Sequence, residues 1–421
     1  MSRRPSRALA ALSATVLAAV TLTACAVGSS GGDTGDGTTT LTVWSYKDTP
    51  TDLAAFKAQN ALFTKEHPDV TIKQVAIPGD QLDTKLLATA ATKTGPDVIL
   101  NNVVVDFPAL VGAGVMADLT DRWDAYSDKG QFPDASVWKT QGGQVQTILS
   151  YNNLLGLYYN RQILDELGIA PPQTLDEFTA ALAKVQASGK YRGLAESASA
   201  DPGGAWMFTP QLLGDGVDFC NFRGDAVTSA FSRVEGWVKA GYVPQEASTW
   251  DQTAAWQQFT TGKYAFGING NWNLAAGKDL TFPWGTTQYP AGPQGSKVYP
   301  GGEGLAIGAF SKQQDPAWDY IEAGWLSKAG QIANYSATGQ IPVRADVATD
   351  PAVTADADVA PFVAATKTVG SWPNNEKTAE AQNAVATAVS SLISGQVSAA
   401  EAAGQAEKGV AEALEAGGGS C

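Results

Sequence analysis

Hydrophobic and polar positions change period repeatedly along this chain, and each change predicts an element. Leu41-Thr42-Val43-Trp44 reads as a first strand. Leu53, Phe56 and Phe63 then recur at helical spacing, and Pro68 closes that helix. Val70 to Ile77 is β-branched and predicts a second strand, and Leu82 and Leu86 mark a second helix. Asp97-Val98-Ile99-Leu100 is a short apolar run behind Gly95-Pro96, which fits a buried strand. Strand, helix, strand, helix, strand at this spacing predicts βαβ units on a parallel sheet.

The same alternation continues downstream. Gly156 to Asn160 predicts a strand, and Thr174-Leu175-Asp176-Glu177 is a capping box opening a helix with Phe178, Leu182 and Val185 on one face. Further helices end at Gly241 and Gly262, where glycine suits the C′ position. Tyr264, Phe266 and Ile268 alternate as in a strand with one buried face, and Glu303 to Phe310 is strand-like. Asp315-Pro316 and Asp350-Pro351 each read as an N-cap acid followed by Pro at the first helical position. Ile321 and Trp325 fall on the inner face of the first of these helices. From Glu376 the chain is Ala-rich, with a second capping box at Ser398-x-x-Glu401, and predicts terminal helices.

Ahead of all this, Ala8 to Ala24 is an uncharged Ala/Leu/Val-rich run behind Arg3, Arg4 and Arg7. It is shorter than the roughly 20 apolar residues of a spanning helix and has the layout of a secretory signal. It ends in Leu22-Thr23-Ala24-Cys25, which resembles a bacterial lipobox. That implies cleavage over residues 1–24, lipidation of Cys25 and anchoring to the outer face of a membrane. Residues 26–39 are rich in Gly, Ser, Thr and Asp and read as a flexible tether.

Of 421 residues, 397 remain after such a cut, more than one hydrophobic core usually holds, so two lobes are expected. A hydrophobic content of 44% against 17% charged places the chain among folded globular proteins. The formal net charge is −14, and the signal carries three Arg and no acid, so the mature chain sits near −17. That excludes an electrostatic nucleic-acid partner, and leaves membrane attachment to the lipid. The one histidine, His67, precedes Pro68 at a helix end; a Ser/His/Asp triad would depend on it, and a multi-His metal site is impossible. No G-x-x-x-x-G-K-[ST] motif occurs, so no P-loop nucleotide is implied, and no cofactor is expected. With Cys25 lipidated, Cys220 and Cys421 are left either as a disulfide or as two thiols.

Several segments together resemble the extracellular solute-binding proteins of bacterial ABC importers, in the carbohydrate-binding group that includes maltose-binding protein. They are Leu41-Thr42-Val43-Trp44, Gly95-Pro96-Asp97-Val98, Leu157-Tyr158-Tyr159-Asn160-Arg161, and Phe259-Thr260-Thr261-Gly262-Lys263-Tyr264-Ala265-Phe266. Gly270-Asn271-Trp272, Gly301-Gly302 and Thr338-Gly339-Gln340-Ile341-Pro342 complete the set. The resemblance runs from Leu41 to about Leu414. It implies an α/β, two-lobe periplasmic-binding-protein-like fold of type II, with discontinuous lobes, a hinge and a central ligand cleft. Lobe one is expected over residues 40–150 plus 301–344, and lobe two over 151–300 plus 345–421. Crossings are expected near Gln146 to Asn153, Tyr299 to Gly304 and Gln340 to Arg344.

A sugar offers hydroxyls at its rim and C–H groups on its faces, so its site needs flat aromatic rings and short polar side chains in a concave pocket. Twelve tryptophans are present. Trp237, Trp256, Trp318 and Trp325 fall in helical patterns and are assigned to cores; Trp44, Trp206, Trp250, Trp272, Trp284 and Trp372 lie at strand ends or in loops. The resemblance implies that Trp272 stacks on a sugar ring, that Trp206 supplies a second aromatic, and that Tyr46 and Asp48 reach the ligand. Asn101 and Asn102 end a strand whose carboxyl end should meet the cleft, with Asp106 just beyond. Tyr151 and Asn153 lie in the first crossing; the maltose-type pattern has a carboxylate about where Asn153 stands, so the exact sugar is left open. Glu303 lies in the second crossing and could accept two hydroxyls. Trp372 either caps the cleft or packs in its own turn, and Asp97 and Arg344 hold backbone turns.

The leading expectation is a monomeric, lipid-anchored receptor that binds a carbohydrate by hinge closure and delivers it to ABC transporter permease subunits. A glycoside-active enzyme would need two facing carboxylates, which Asp48, Asp106 and Glu303 could supply. A third class binds some other solute; a phosphate would call for Arg or Lys in the cleft, and the candidates are mostly neutral or acidic.

Overall fold

A computed structural model of the protein describes residues 39–419 and Cys421. The signal, Cys25 and the tether to residue 38 lie outside the described residues, as does the Asp106 side chain. Among the described residues, ten strands form two sheets. They are β1 (Thr39–Ser45), β2 (Val70–Ala76), β3 (Val98–Asn102), β4 (Val137–Lys139), β5 (Val145–Leu149), β6 (Leu155–Asn160), β7 (Arg192–Ala195), β8 (Tyr264–Gly270), β9 (Trp284–Gln288) and β10 (Glu303–Ile307). The first sheet has the order β2-β1-β3-β10-β5-β4, and the second β7-β8-β6-β9.

The opening βαβαβ run folds as the pattern predicts. Helices Pro50–Thr64 and Gly79–Thr92 connect strands that pair in parallel, β1 with both β2 and β3. Strand β10 then enters antiparallel between β3 and β5, so the first sheet is mixed. The second sheet is mixed as well: β7 runs parallel to β8, whereas β6 is antiparallel to both β8 and β9. Two distinct hydrophobic cores flank the sheets, one around Val43, Leu100, Phe107 and Ile307 and one around Leu157, Phe178, Trp237 and Phe266. The terminal helices Thr378–Ile393 and Ala399–Ala416 pack on each other and on helices Pro202–Gly214 and Asp225–Lys239 of the second core.

Local signals in the sequence land well where they are self-contained. Both capping boxes form, Thr174 with Glu177 and Ser398 with Glu401, and Asp350 caps its short helix. Gly241 and Gly262 take the positive φ of C′ glycines, 75° and 72°. Asp97 is occupied within the fold, accepting from Thr42 N in β1 at 2.8 Å and from the Ser311 hydroxyl. Cys220 and Cys421 form a disulfide. Trp237, Trp256, Trp318 and Trp325 are all core residues.

Three expectations are corrected. Strand β8 is buried on both faces, because helix Gln252–Thr260 lies over the intervening residues; a Cβ on Gly267 would meet the Phe259 ring at 3.0 Å. The helix at Asp315 begins earlier, at Gln314, and Asp315 does not cap it; its carboxylate instead binds Arg122 at 2.6 Å. Trp206 is not in a loop. Asp201 caps a helix at Pro202, accepting from Gly203 N at 2.8 Å and Gly204 N at 3.2 Å, and Trp206 sits in the second turn. His67 lies against Phe63, ring on ring at 4.5 Å.

The chain passes between the sheets at 150–154, after β5, and at 289–302, before β10. A third passage is marked by Ile341, buried in the second core, and Val343, buried in the first. These passages are laced together: Asn153 and Gly301 exchange backbone hydrogen bonds, and Asn152 N donates to Ile341 O at 2.7 Å. Gln331 adds to the lacing, donating to Ser150 O and accepting from Val343 N. Arg344, almost wholly buried, ties this region to Asp128 and Asp346.

Candidate ligand-binding site

On the first-sheet side the site is built on Glu303, the first residue of β10. Its Oε1 accepts from the Tyr46 hydroxyl and lies 2.9 Å from Lys47 Nζ. The ammonium also stands 4.9 Å over the Tyr46 ring and 5.8 Å from that of Tyr151, a cation–π arrangement. Glu303 Oε2 is buried, and the Tyr151 hydroxyl faces the carboxylate besides Tyr46 and Lys47. Burial raises the Tyr151 hydroxyl well above its ordinary pKa, and the Glu303 charge raises it further. Asp48 is exposed, ahead of the Thr49 cap of the first helix.

Asn101 and Asn102 part company here, since adjacent strand residues point to opposite faces. Asn102 lies opposite Glu303 in the β3–β10 register, and its Oδ1 caps the next helix, accepting from Val104 N at 3.1 Å. Asn101 pairs with Gly304, on the face where a Cβ on that glycine would meet Val103 and Thr147. Its amide is fully buried, and neither amide atom has a partner. An unpaired buried amide costs about 1–3 kcal/mol.

On the second-sheet side, Gly270, Asn271 and Trp272 follow directly from β8. Trp272 is half-buried and stacks on Trp206, ring centroids 5.5 Å apart and planes 27° apart. Only glycine fits at 270, because a Cβ there would overlap the Trp272 ring. The Trp206 indole donates to Tyr299 O at 3.1 Å. Beyond β7, Glu196, Ser197 and Ser199 each carry a buried, unpartnered oxygen. Burial alone pushes the Glu196 carboxyl up to about 8.

In the crossings, Asn153 keeps one buried amide oxygen without a partner. Gly302 has φ +138°, and a Cβ on it would run into Tyr151 O, so this bend requires glycine. Trp372 is half-buried; its indole donates to Pro300 O at 2.6 Å and its ring stacks on Tyr299 at 4.1 Å. Of the candidates, Tyr46, Tyr151 and Glu303 therefore gather at one cluster, and Trp206 and Trp272 at another. Trp372 joins Trp206 on the Tyr299–Pro300 carbonyls, and Asp48 stands apart on its exposed segment.

Sequence reasoning missed Lys47, Asn271 and Glu196. Lys47 stands between two named candidates, but only the return of β10 supplies its carboxylate. Asn271 belongs to the Gly270-Asn271-Trp272 segment, yet the partners of its amide all come from far along the chain. Glu196 follows a short apolar run, and nothing local says that its carboxyl is buried. Among the described residues no group of three or more His, Cys, Asp or Glu could hold a metal ion. The arrangement offers hydrogen-bond donors, acceptors and flat rings, which is equipment for holding a polar molecule.

A sequence model of the bacterial extracellular solute-binding protein family matches residues 58–361. The chain belongs to that family. Similar proteins include the galactooligosaccharide-binding protein of Bacillus subtilis, 25% identical over 74% of this chain and 75% of that protein. The diacetylchitobiose-binding protein DasA of Streptomyces coelicolor is 26% identical over 80% and 84%. The melibiose/raffinose/stachyose-binding protein MelE of Bacillus subtilis is 30% identical, but the match spans about a third of either protein. Among solved structures, the cyclic alpha-maltosyl-1,6-maltose binding protein of Arthrobacter globiformis superposes with a TM-score of 0.76, at 25% identity, covering 90% of this chain and all of that one. Maltose-bound MalE3 of T. maritima gives 0.76 at 21% identity, over 88% and 98%. The fold is thus the two-lobe, maltose-binding-protein-like α/β fold of solute-binding proteins. Among the described residues, no helix is long and apolar enough to cross a membrane.

Proposed function

We propose that this protein is the extracellular, lipid-anchored receptor of an ABC sugar importer, binding a neutral mono- or oligosaccharide and delivering it to the permease. The observation that carries this reading is the half-buried Trp272, seated where the second sheet meets the crossings and backed by Trp206. Facing roles fall to the buried Glu303 carboxylate and to Asn153 Oδ1, with Tyr46, Lys47 and Tyr151 around Glu303. Family membership and the sugar-binding names of its relatives support the substrate class. The lobes are taken as residues 40–150 plus 301–344 and 151–300 plus 345–421, working as a monomer. Ligand contacts both lobes and favours the closed form by its differential affinity for it.

The deciding experiment is a thermal-shift and calorimetry panel on the mature protein with maltotetraose, raffinose and diacetylchitobiose, followed by product analysis. Binding with intact sugar is expected, and ligand at a hundredfold excess over its dissociation constant adds about 2.7 kcal/mol of stability. Sugar cleavage would move the protein to the enzymes, and no binding across the panel would end the carbohydrate reading. Anchoring rests on Leu22 to Cys25. Cys25→Ser is expected to release the protein from the membrane fraction; retention there would overturn the anchor.

A further inference from the structure

The residues on either side of Trp272 do more than present its ring. Asn271 is fully buried, and its side chain is wholly committed to two crossings. Oδ1 accepts from Leu154 N at 2.7 Å, while Nδ2 donates to Asn152 O at 3.2 Å and to Gln340 Oε1 at 3.3 Å. The remaining crossing is reached through Trp206. One face of that indole lies against Trp272, its N–H is spent on Tyr299 O, and its far edge lies where a Cβ on Gly301 would come within 2.6 Å. One short segment of backbone, 270–272, is therefore joined to all three passages between the sheets.

Resting on the carbohydrate reading of Trp272, we propose that Asn271 and Trp206 are positioning residues that couple occupancy of the Trp272 ring to the bend of the three crossings. A sugar ring against the exposed part of the half-buried Trp272 presses the indole onto Trp206, which is anchored to the Tyr299 carbonyl. A rotation of one lobe against the other must change backbone dihedrals in 150–154, 299–302 and 340–344, and Gly301 and Gly302 permit it there. Such a rotation cannot proceed with the Trp272 ring held still, because Asn271 fixes the backbone beside that ring to two of the moving segments. Ligand and hinge thus read the same groups, and the ring is in its ligand-holding place only at one hinge angle.

Two variants test this in the full mature chain. Trp206→Phe keeps an aromatic face and removes the N–H bond to Tyr299. Asn271→Asp keeps the acceptor for Leu154 N and removes both donated bonds. Hydrogen exchange without sugar reads the hinge directly: faster exchange is expected at residues 299–303 in Trp206→Phe and at 152–154 in Asn271→Asp. Coupling changes of this kind alter affinity by roughly 2- to 30-fold, expected here for whichever of maltotetraose, raffinose and diacetylchitobiose binds the wild type. The readout that a merely structural role would leave alone is the distance distribution between spin labels at Lys65→Cys and Lys263→Cys in a Cys25→Ser background. A smaller closed fraction at saturating sugar is expected in both variants, measured well below the melting temperature of each, which the lost buried bonds lower in Asn271→Asp. Wild-type closure in both variants, or exchange changes confined to the substituted segment, would overturn the coupling. If one variant does not fold, the other decides. If none of the three sugars binds the wild type, the carbohydrate reading fails, and the sugar-free exchange alone decides the coupling.

Discussion

Glu196 keeps its proton at neutral pH because the folded chain surrounds it with no compensating cation; burial is the sole cause of its rise from 4.5 to about 8. The unfolded chain releases that proton near 4.5. Between these two values folding takes up a proton, so stability falls as pH rises through the window and levels off above about 8. Glu196→Gln removes the titration. The variant is expected to match the wild type near pH 4 and to gain on it by about 1.4 kcal/mol per pH unit across the window at most. Denaturant unfolding at pH 5, 7 and 8.5 reads this directly, and parallel pH slopes for the two proteins would refute it. Trp272→Ala acts on the same second-sheet side, through the ring. A stacked, buried aromatic face is worth about 1–3 kcal/mol, so sugar affinity is expected to fall roughly ten- to a hundredfold with little change in the ligand-free melting temperature. A large loss of ligand-free stability would make the ring a core residue instead.

Elements whose signals lie within four residues are legible in the sequence alone. The capping boxes at Thr174 and Ser398 are examples, because cap and reciprocal carboxylate are neighbours on one turn. Ser398→Ala is expected to cost about 1 kcal/mol, seen as a lower denaturation midpoint without a change in slope. Signals that depend on a distant partner are not legible. Asp315 looks like a cap until Arg122 claims its carboxylate. Tyr264, Phe266 and Ile268 look one-sided until a helix covers the other face of β8. The twofold strand period already says that Asn101 and Asn102 cannot share a face, but not which one meets Glu303, since β10 supplies that answer from far along the chain. The ion pair of Lys47 with Glu303 is hidden for the same reason. The stacking of Trp272 on Trp206 is hidden likewise, because the two rings come from distant segments.

Across the whole molecule, the Cys220–Cys421 disulfide closes a loop of 201 residues and fixes the chain end beside the second core. In the chain-entropy account a loop of that length stabilises by roughly 5 kcal/mol at most, and measured values commonly fall at about 2–4 kcal/mol. Replacing both cysteines by serine is expected to lower the melting temperature while leaving sugar affinity little changed, because Cys220 reaches a candidate residue at one remove, through its neighbour Phe219, which stacks on Trp372. Equal melting temperatures for the two forms would show that the chain end is held by packing alone. The position of β10 has a further consequence, for the order in which the molecule is made. Strands β6 to β9 follow one another without interruption, so the second sheet holds all its members once Gln288 has emerged. The first sheet begins at Thr39, yet β3 and β5 have no strand between them until Glu303–Ile307 arrives. Pairings across such a separation form late, because the intervening chain must be closed into a loop first. A growing or newly exported chain therefore carries two unfinished strand edges from Leu149 until Glu303 arrives, and the sheet that is begun first is the sheet that is completed last.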